Sequence, residues 1–284
     1  MMHPAFIPGA VAVVTGGAAG IGLAAAKKLA SLGLRVCIAD LGADRLARAR
    51  EAVVAVAAGG DADVMTSETD VSRVEALVAL EAAVTARFGG TNILLNNAGI
   101  GPRSTVLGPA ESWARTIDVN LWGVLHGTQV FVPRMIEQGR PGLVINTGSK
   151  QGITTPPGNP AYNVSKAGVK AFTEALQHEL RNTPGCQISA HLLIPGFVFT
   201  ELTGSGRTDK PAGAWTPEQT IDFMMERLAA NDFYILCPDN EVPRSLDERR
   251  ILWAAGDIVE NRPPLSRWHP DYAEAFKAFA SQRK

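Results

Sequence analysis

The sequence predicts an α/β protein: a single domain built on a doubly wound parallel sheet, with helices on both faces. Three observations carry this. Short apolar runs alternate with helix-spaced stretches in units of about 30 residues, the rhythm of strand–helix–strand units. A glycine-rich turn joins the first apolar run to the first helix-spaced stretch. Polar residues that stand out from their surroundings fall at the carboxyl ends of the runs, where such sheets bind ligands.

Composition narrows the function classes. The 284 residues are 46% hydrophobic and 19% charged, which supplies a sizeable core. A formal net charge of −1 gives no electrostatic case for nucleic acid or an anionic membrane surface as a partner. Cys37, Cys186 and Cys237 are scattered and form no Cys-x-x-Cys unit, which fits a reducing compartment. No apolar run approaches the roughly 18–20 residues that span a bilayer, and residues 1–10 lack the basic-then-apolar pattern of a signal peptide. The expectation is a cytoplasmic protein.

The first apolar run is Val11-Ala12-Val13-Val14, of the kind a strand buried on both faces uses. Thr15-Gly16-Gly17-Ala18-Ala19-Gly20-Ile21-Gly22 follows and leads into helical spacing from Leu23 to Leu32. In this setting glycines let the backbone approach a pyrophosphate, whose charge meets the helix N-terminus. A second run ends in Asp40, about 20 residues past the glycines, where a carboxylate can accept both hydroxyls of an adenosine ribose. No Arg or Lys sits in the glycine loop or just after Asp40, so a 2′-phosphate would meet uncompensated negative charge. NAD is expected over NADP.

The pattern then repeats. Residues 44–58 read as a helix, and 63–69 as a third strand closing on Asp70-Val71. Residues 72–88 read as a helix with Ser72 and Glu75 as a capping box. Asn92-Ile93-Leu94-Leu95 is the fourth strand, followed by Asn96-Asn97-Ala98-Gly99. One long helix is expected over 111–138, carrying Asn120 among apolar neighbours, where a buried amide must be hydrogen-bonded. Leu143-Val144-Ile145-Asn146 is the fifth strand, with Thr147-Gly148-Ser149 at its end. Tyr162 opens a helix that continues through Val169, Phe172, Leu176 and Leu180. Lys166 is therefore at i+4, with Cβ atoms about 5–6 Å apart. An ammonium beside a phenol favours phenolate, so the spacing predicts a Tyr162 pKa pulled below about 10. Such a group can give a proton to a carbonyl oxygen or take one from an alcohol, and Ser149 can steady the substrate oxygen.

Together these motifs resemble the short-chain dehydrogenase/reductase family in its common form. The resemblance rests on Thr15-Gly16-x-x-x-Gly20-Ile21-Gly22, Asn96-Asn97-Ala98-Gly99, Asn120, Ser149, Tyr162-x-x-x-Lys166 and Pro195-Gly196, and covers roughly residues 8–200. It implies a Rossmann fold and a tetrad of Asn120, Ser149, Tyr162 and Lys166. In that family the tyrosine is the general acid/base and the serine orients the substrate oxygen. The lysine binds the nicotinamide ribose and lowers the tyrosine pKa, and the asparagine kinks its helix and helps hold a water. The implied cofactor contacts are Gly16, Ala19, Gly20, Ile21 and Gly22 at the phosphates, Asp40 at the ribose, and Asp70 with Val71 at adenine. Asn97, Tyr162 and Lys166 follow, with Val198 and Thr200 at the nicotinamide carboxamide. The implied partners are a small alcohol or ketone and further copies of the chain, as a homo-oligomeric dimer or tetramer.

Residues of about 197–284 are expected to form a substrate loop and a C-terminal extension. Residues 204–214, rich in Gly, Thr, Lys and Pro, read as a mobile segment over the site. Thr216-Pro217-Glu218-Gln219 starts a helix, residues 232–237 form a last strand, and Ser245-Leu246-Asp247-Glu248 caps a further helix containing Trp253. The family's terminal Gly-Gly segment is missing, so the extension would shape the pocket, contact a second subunit or cover hydrophobic surface. Phe197, Phe199, Met224, Met225 and Trp215 point to a hydrophobic or aromatic substrate. The five histidines share no metal-ligand spacing, and no metal is expected. Two other classes stay open. An isomerase- or dehydratase-type relative would space its glycines Gly-x-x-Gly-x-x-Gly, and a nucleotide-sensing or scaffold protein would lack a tetrad residue.

Overall fold

The structure, a computed structural model, describes residues 3–204 and 206–281. The expectations that touch residues 1, 2, 205 and 282–284 lie outside the described residues there. The run read as the first strand forms β1 (Val11–Thr15), buried along its whole length. Its alternate residues serve two cores. Ala12 and Val14 face the layer of α1 (Gly20–Ser31) and α2 (Ala43–Val54), whereas Val11 and Val13 face the opposite layer. Burial on both faces is why the strand reads as a continuous apolar run rather than an alternating one.

Strands β2 (Arg35–Asp40), β3 (Val64–Glu68), β4 (Ile93–Asn96), β5 (Gly142–Thr147), β6 (Ile188–Ile194) and β7 (Tyr234–Leu236) complete a seven-stranded sheet. Its order is β3-β2-β1-β4-β5-β6-β7, and every pairing is parallel. The winding reverses between β1 and β4, which opens a crevice at their carboxyl ends. β6 carries Ser189 and His191 inside its apolar run. The His191 ring nitrogens lie 2.9 Å from Asp232 O and 2.9 Å from Ser189 Oγ, so the buried polar groups are partnered within the fold.

The face opposite α1 is covered by α3 (Val74–Phe88), α5 (Gly123–Glu137) and α7 (Pro160–Asn182). The helix read over 111–138 is not continuous, and its break falls at Asn120, where the resemblance implies a kink. It divides into α4 (Ala110–Ile117) and α5, joined by a π-helical turn at Asp118–Trp122 that contains Asn120. The expected Ser72/Glu75 box does not form, because α3 starts at Val74 and the Ser72 hydroxyl donates to Asp70 Oδ1 at 2.6 Å. The short helices α6 (Gln151–Thr154) and α8 (Glu201–Gly204) punctuate the loops beyond β5 and β6.

The box at Thr216 does form at the start of α9 (Pro217–Ala229). Gln219 N donates to Thr216 Oγ1 at 3.2 Å, and Thr216 N donates to Gln219 Oε1 at 2.8 Å. The extension folds as α10 (Arg244–Val259) and α11 (Ala273–Ser281), clasped around Trp253, whose ring lies 5.4 Å from Phe276 and 5.3 Å from Phe279. Neither Ser245 nor any other side chain caps α10, and Asp247 turns inward to Lys150 instead. Among the described residues no helix is long and apolar enough to cross a membrane.

Candidate active site

A cleft of about 850 Å3 opens at the carboxyl ends of β1 and β4 and runs from Asp40 to Ser149. At its centre is the glycine turn. Gly16 has φ of 61°, and a Cβ there would lie 2.7 Å from Ala98 Cα. A Cβ on Gly22 would fall 2.0 Å from Gly16 O. The turn is thus pressed between β4 and its own helix, leaving its outer side to the cleft. α1 has no side-chain cap and no acid in its first turn, so its leading N–H groups face the cleft's floor with no competing carboxylate.

At the β2 end, Asp40 is held in place by Ala18 N, which donates to Oδ2 at 2.9 Å, and by Leu41 N, which donates to Oδ1 at 2.7 Å. The structure adds a cation that local sequence did not announce. Arg45, on α2, lines the same end of the cleft, and its guanidinium is paired at 2.8 Å with Glu201 of α8. Asp70 accepts from Ser72, and Val71 packs against Gly123 at the start of α5, so both sit on the wall opposite the glycine turn.

Asn97 ties the strands together. Its side-chain amide donates to Thr15 O and Gly16 O, both at 3.2 Å, and its Oδ1 accepts from Thr147 at 3.3 Å. Lys166 lies beneath, 4% exposed, donating to Thr147 O at 2.7 Å. Asn120 is fully buried, and its amide is fully engaged: Oδ1 accepts from Ile100 N and Nδ2 donates to Ile100 O, both at 2.8 Å, and Nδ2 also donates to Ser165 Oγ at 3.3 Å. This explains the π turn, since the side chain must reach sideways to hold the Ile100 segment. A Cβ on Gly99 would sit 3.4 Å from Asn120 Oδ1 and 3.8 Å from Lys166 Nζ, so the amide and the ammonium face the same small gap.

Tyr162 and Lys166 share one face of α7, with the ammonium 5.8 Å from the phenol ring centroid. The electrostatics differ from the expectation. Burial pushes the Tyr162 phenol up from its ordinary value, with the Ser149 hydroxyl opposing it. Burial also pulls Lys166 down to about 8. Desolvation disfavours the charged form of both groups, and in the protein's own residues it outweighs the attraction inferred from their spacing. The N-terminus of α7 is fixed by a residue that sequence did not single out. Ser104 donates to Asn159 Oδ1 at 2.6 Å and accepts from Ala161 N at 3.1 Å.

The far wall is the segment after β6. Phe197 and Phe199 exchange backbone bonds with Trp215, each 2.9 Å, and Thr203 closes a turn onto Val198 O and Thr200 N. Val198 and Thr200 line the cleft, and a Cβ on Gly20 would lie 3.0 Å from Thr200 Cγ2. The aromatic residues expected around the substrate do not line it. Met224 is in the core against α1, and Met225, Trp215 and Phe223 pack on that core. Apolar cover near Tyr162 comes instead from Ile100 and Leu202.

Behind this segment, Asp239 accepts from Phe197 N at 3.1 Å and pairs with Lys150 at 3.3 Å, and Lys150 also meets Asp247 at 2.5 Å. The residue after Ser149 is thereby strutted to the loop after β7 and to α10. Local pattern carries no signal for this, because three separate segments meet only in the fold.

Comparisons agree with this architecture. The family model described as short chain dehydrogenase matches residues 10–211. The 1-deoxy-11-beta-hydroxypentalenate dehydrogenase of Streptomyces avermitilis is 31% identical, over 85% of this chain and 89% of that protein. The D-beta-hydroxybutyrate dehydrogenase of Rhizobium meliloti is 31% identical, over 75% of this chain and 81% of its own. Among solved structures, a short chain dehydrogenase/reductase from Burkholderia phymatum in complex with NAD superposes with a TM-score of 0.80 at 32% identity, covering 90% of this chain and 96% of that one.

Proposed function

The chain belongs to the short-chain dehydrogenase family of oxidoreductases, and from that premise we propose that it interconverts a secondary alcohol and its ketone with NAD. The observation that carries the reading is the convergence of Ser149, Tyr162 and Lys166 on the end of a cleft whose other end holds an uncapped helix N-terminus and Asp40. The residues fit a dinucleotide. Gly16, Ala19, Gly20, Ile21 and Gly22 would offer backbone N–H groups at the phosphates, and the three glycines add no side-chain bulk there. Asp40 would accept the ribose hydroxyls, Asp70 and Val71 would bound the adenine, and Asn97, Tyr162 and Lys166 would face the second ribose. Val198 and Thr200 would meet the carboxamide.

When bound, the nicotinamide supplies the hydride and, in its oxidised form, a positive charge beside Tyr162. The remaining work falls to the protein. Ser149 hydrogen-bonds the substrate oxygen, and Tyr162 takes or gives the proton at its hydroxyl. Lys166, held on Thr147 O, stabilises the phenolate that results. Asn120 keeps the Ile100 segment fixed at the mouth of the site. Ile100 and Leu202 favour a substrate with an apolar body.

Asp40 supports NAD over NADP, since its carboxylate would repel a 2′-phosphate and Arg45 is already taken by Glu201. The chain would act in the cytoplasm as a homo-oligomer. A nucleotide-sensing role without turnover is the competing reading. Absorbance in the NADH band with a panel of secondary alcohols and ketones separates the two. Turnover of any member supports the dehydrogenase, and tight NADH binding with no turnover supports the sensor.

A further inference from the structure

A second cavity, of about 260 Å3, lies between the loop that follows Ser149 and the C-terminal extension, and it shares no lining residue with the large cleft. Lys150 and Pro156 form one wall; Asp247, Arg250, Arg267 and Trp268 form the other. The charges do not balance. Lys150 is engaged by Asp239 and Asp247. Both Asp239 oxygens are further occupied, by Phe197 N on one and by Glu241 N and Val242 N on the other. Arg250 and Arg267 have no hydrogen bond or ion pair among the described residues, and Arg250 Nε is buried without a partner.

Three cations therefore meet two carboxylates: Asp239 has both oxygens occupied, and Asp247, paired with Lys150, is the one carboxylate whose charge also acts on Arg250 and Arg267. Burial, with Arg250 adding to it and Asp247 opposing, pulls Arg267 down to about 10. A guanidinium carries five planar donors, and leaving the buried Arg250 Nε dry is costly. Native interiors rarely tolerate this without a ligand or a partner. Arg267 lies 4.7 Å from the Trp268 ring centroid, so the cationic and apolar surfaces adjoin.

We propose that this cavity binds a small molecule bearing one oxyanion, a carboxylate or a phosphate, held by Arg250 and Arg267 with its apolar body against Trp268. A planar fork suits such an anion in two-point contact. The single surplus charge matches a monoanion, and the volume lies below the roughly 300–1,000 Å3 of drug-sized sites, so the ligand is small. The test is calorimetric titration of the full chain with sodium benzoate and, separately, inorganic phosphate, in the millimolar range. The expected result is saturable binding of at least one probe, weakened about tenfold or more in both Arg250→Gln and Arg267→Gln, with NAD affinity unchanged. The same probe should raise the wild-type Tm and leave that of each variant unmoved. Tighter benzoate assigns an organic acid, and tighter phosphate assigns a phosphate. Binding of neither probe, or equal binding by all three proteins, would overturn the site.

Discussion

Lys166 sets the terms at the scale of single residues. Its ammonium is buried against Thr147 O, and its pKa falls to about 8 from 10.5. Between those values the unfolded chain binds the extra proton and the folded one does not, so this group's contribution makes stability rise with pH across that window. Cys37 and Cys237, raised to about 12 from 9.0, act in the opposite sense and are common to any Lys166 variant. Wild type should therefore gain about 2–3 kcal/mol on Lys166→Met between pH 8 and 10.5, read by urea unfolding without cofactor. Parallel pH curves would show that Lys166 titrates normally. Asp40 makes a second residue-scale prediction. Asp40→Ala should lower the ratio of NAD to NADP activity, and an unchanged ratio would remove the carboxylate from the ribose.

Among the elements, the sequence was most readable where a motif has one local cause. The glycine turn, the strands up to β5 and the Thr216 box all depend on neighbours in the chain, and the structure has them where the pattern places them. The misreadings arise differently. Ser72 was drawn to Asp70 rather than to a helix end, Asn120 broke its helix to reach Ile100, and Met224 turned to α1 instead of the cleft. For Ser72 a competing side-chain bond two residues away overrode the local preference, and for Asn120 and Met224 a tertiary contact did so. The strut of Lys150, Asp239 and Asp247 was invisible for the same reason, and it yields an element-scale prediction. Asp239→Asn removes a carboxylate shared by Phe197 N and Lys150, and should cost about 1–3 kcal/mol of stability. It should also lower turnover, because the Val198–Thr200 wall loses its anchor. Urea unfolding and kcat check it, and no change in either would mean that the strut bears nothing.

For the whole molecule, the parallel sheet was legible because burial on both faces gives apolar runs, and the switch between β1 and β4 then fixes where the site must be. The extension was not legible as a unit. It packs around Trp253 and against the loop after Ser149, and lines a cavity of its own rather than the cleft. What unites the molecule is the placement of one phenol, Tyr162, in the cleft at the carboxyl ends of the strands. The most direct measurement is therefore the rate of NADH formation from a secondary alcohol by wild type and by Tyr162→Phe, with NAD binding measured in parallel. The expected result is a fall in turnover of about 10²–10⁴ with binding nearly intact; equal turnover by the two proteins would rule out Tyr162 as the proton-transferring group.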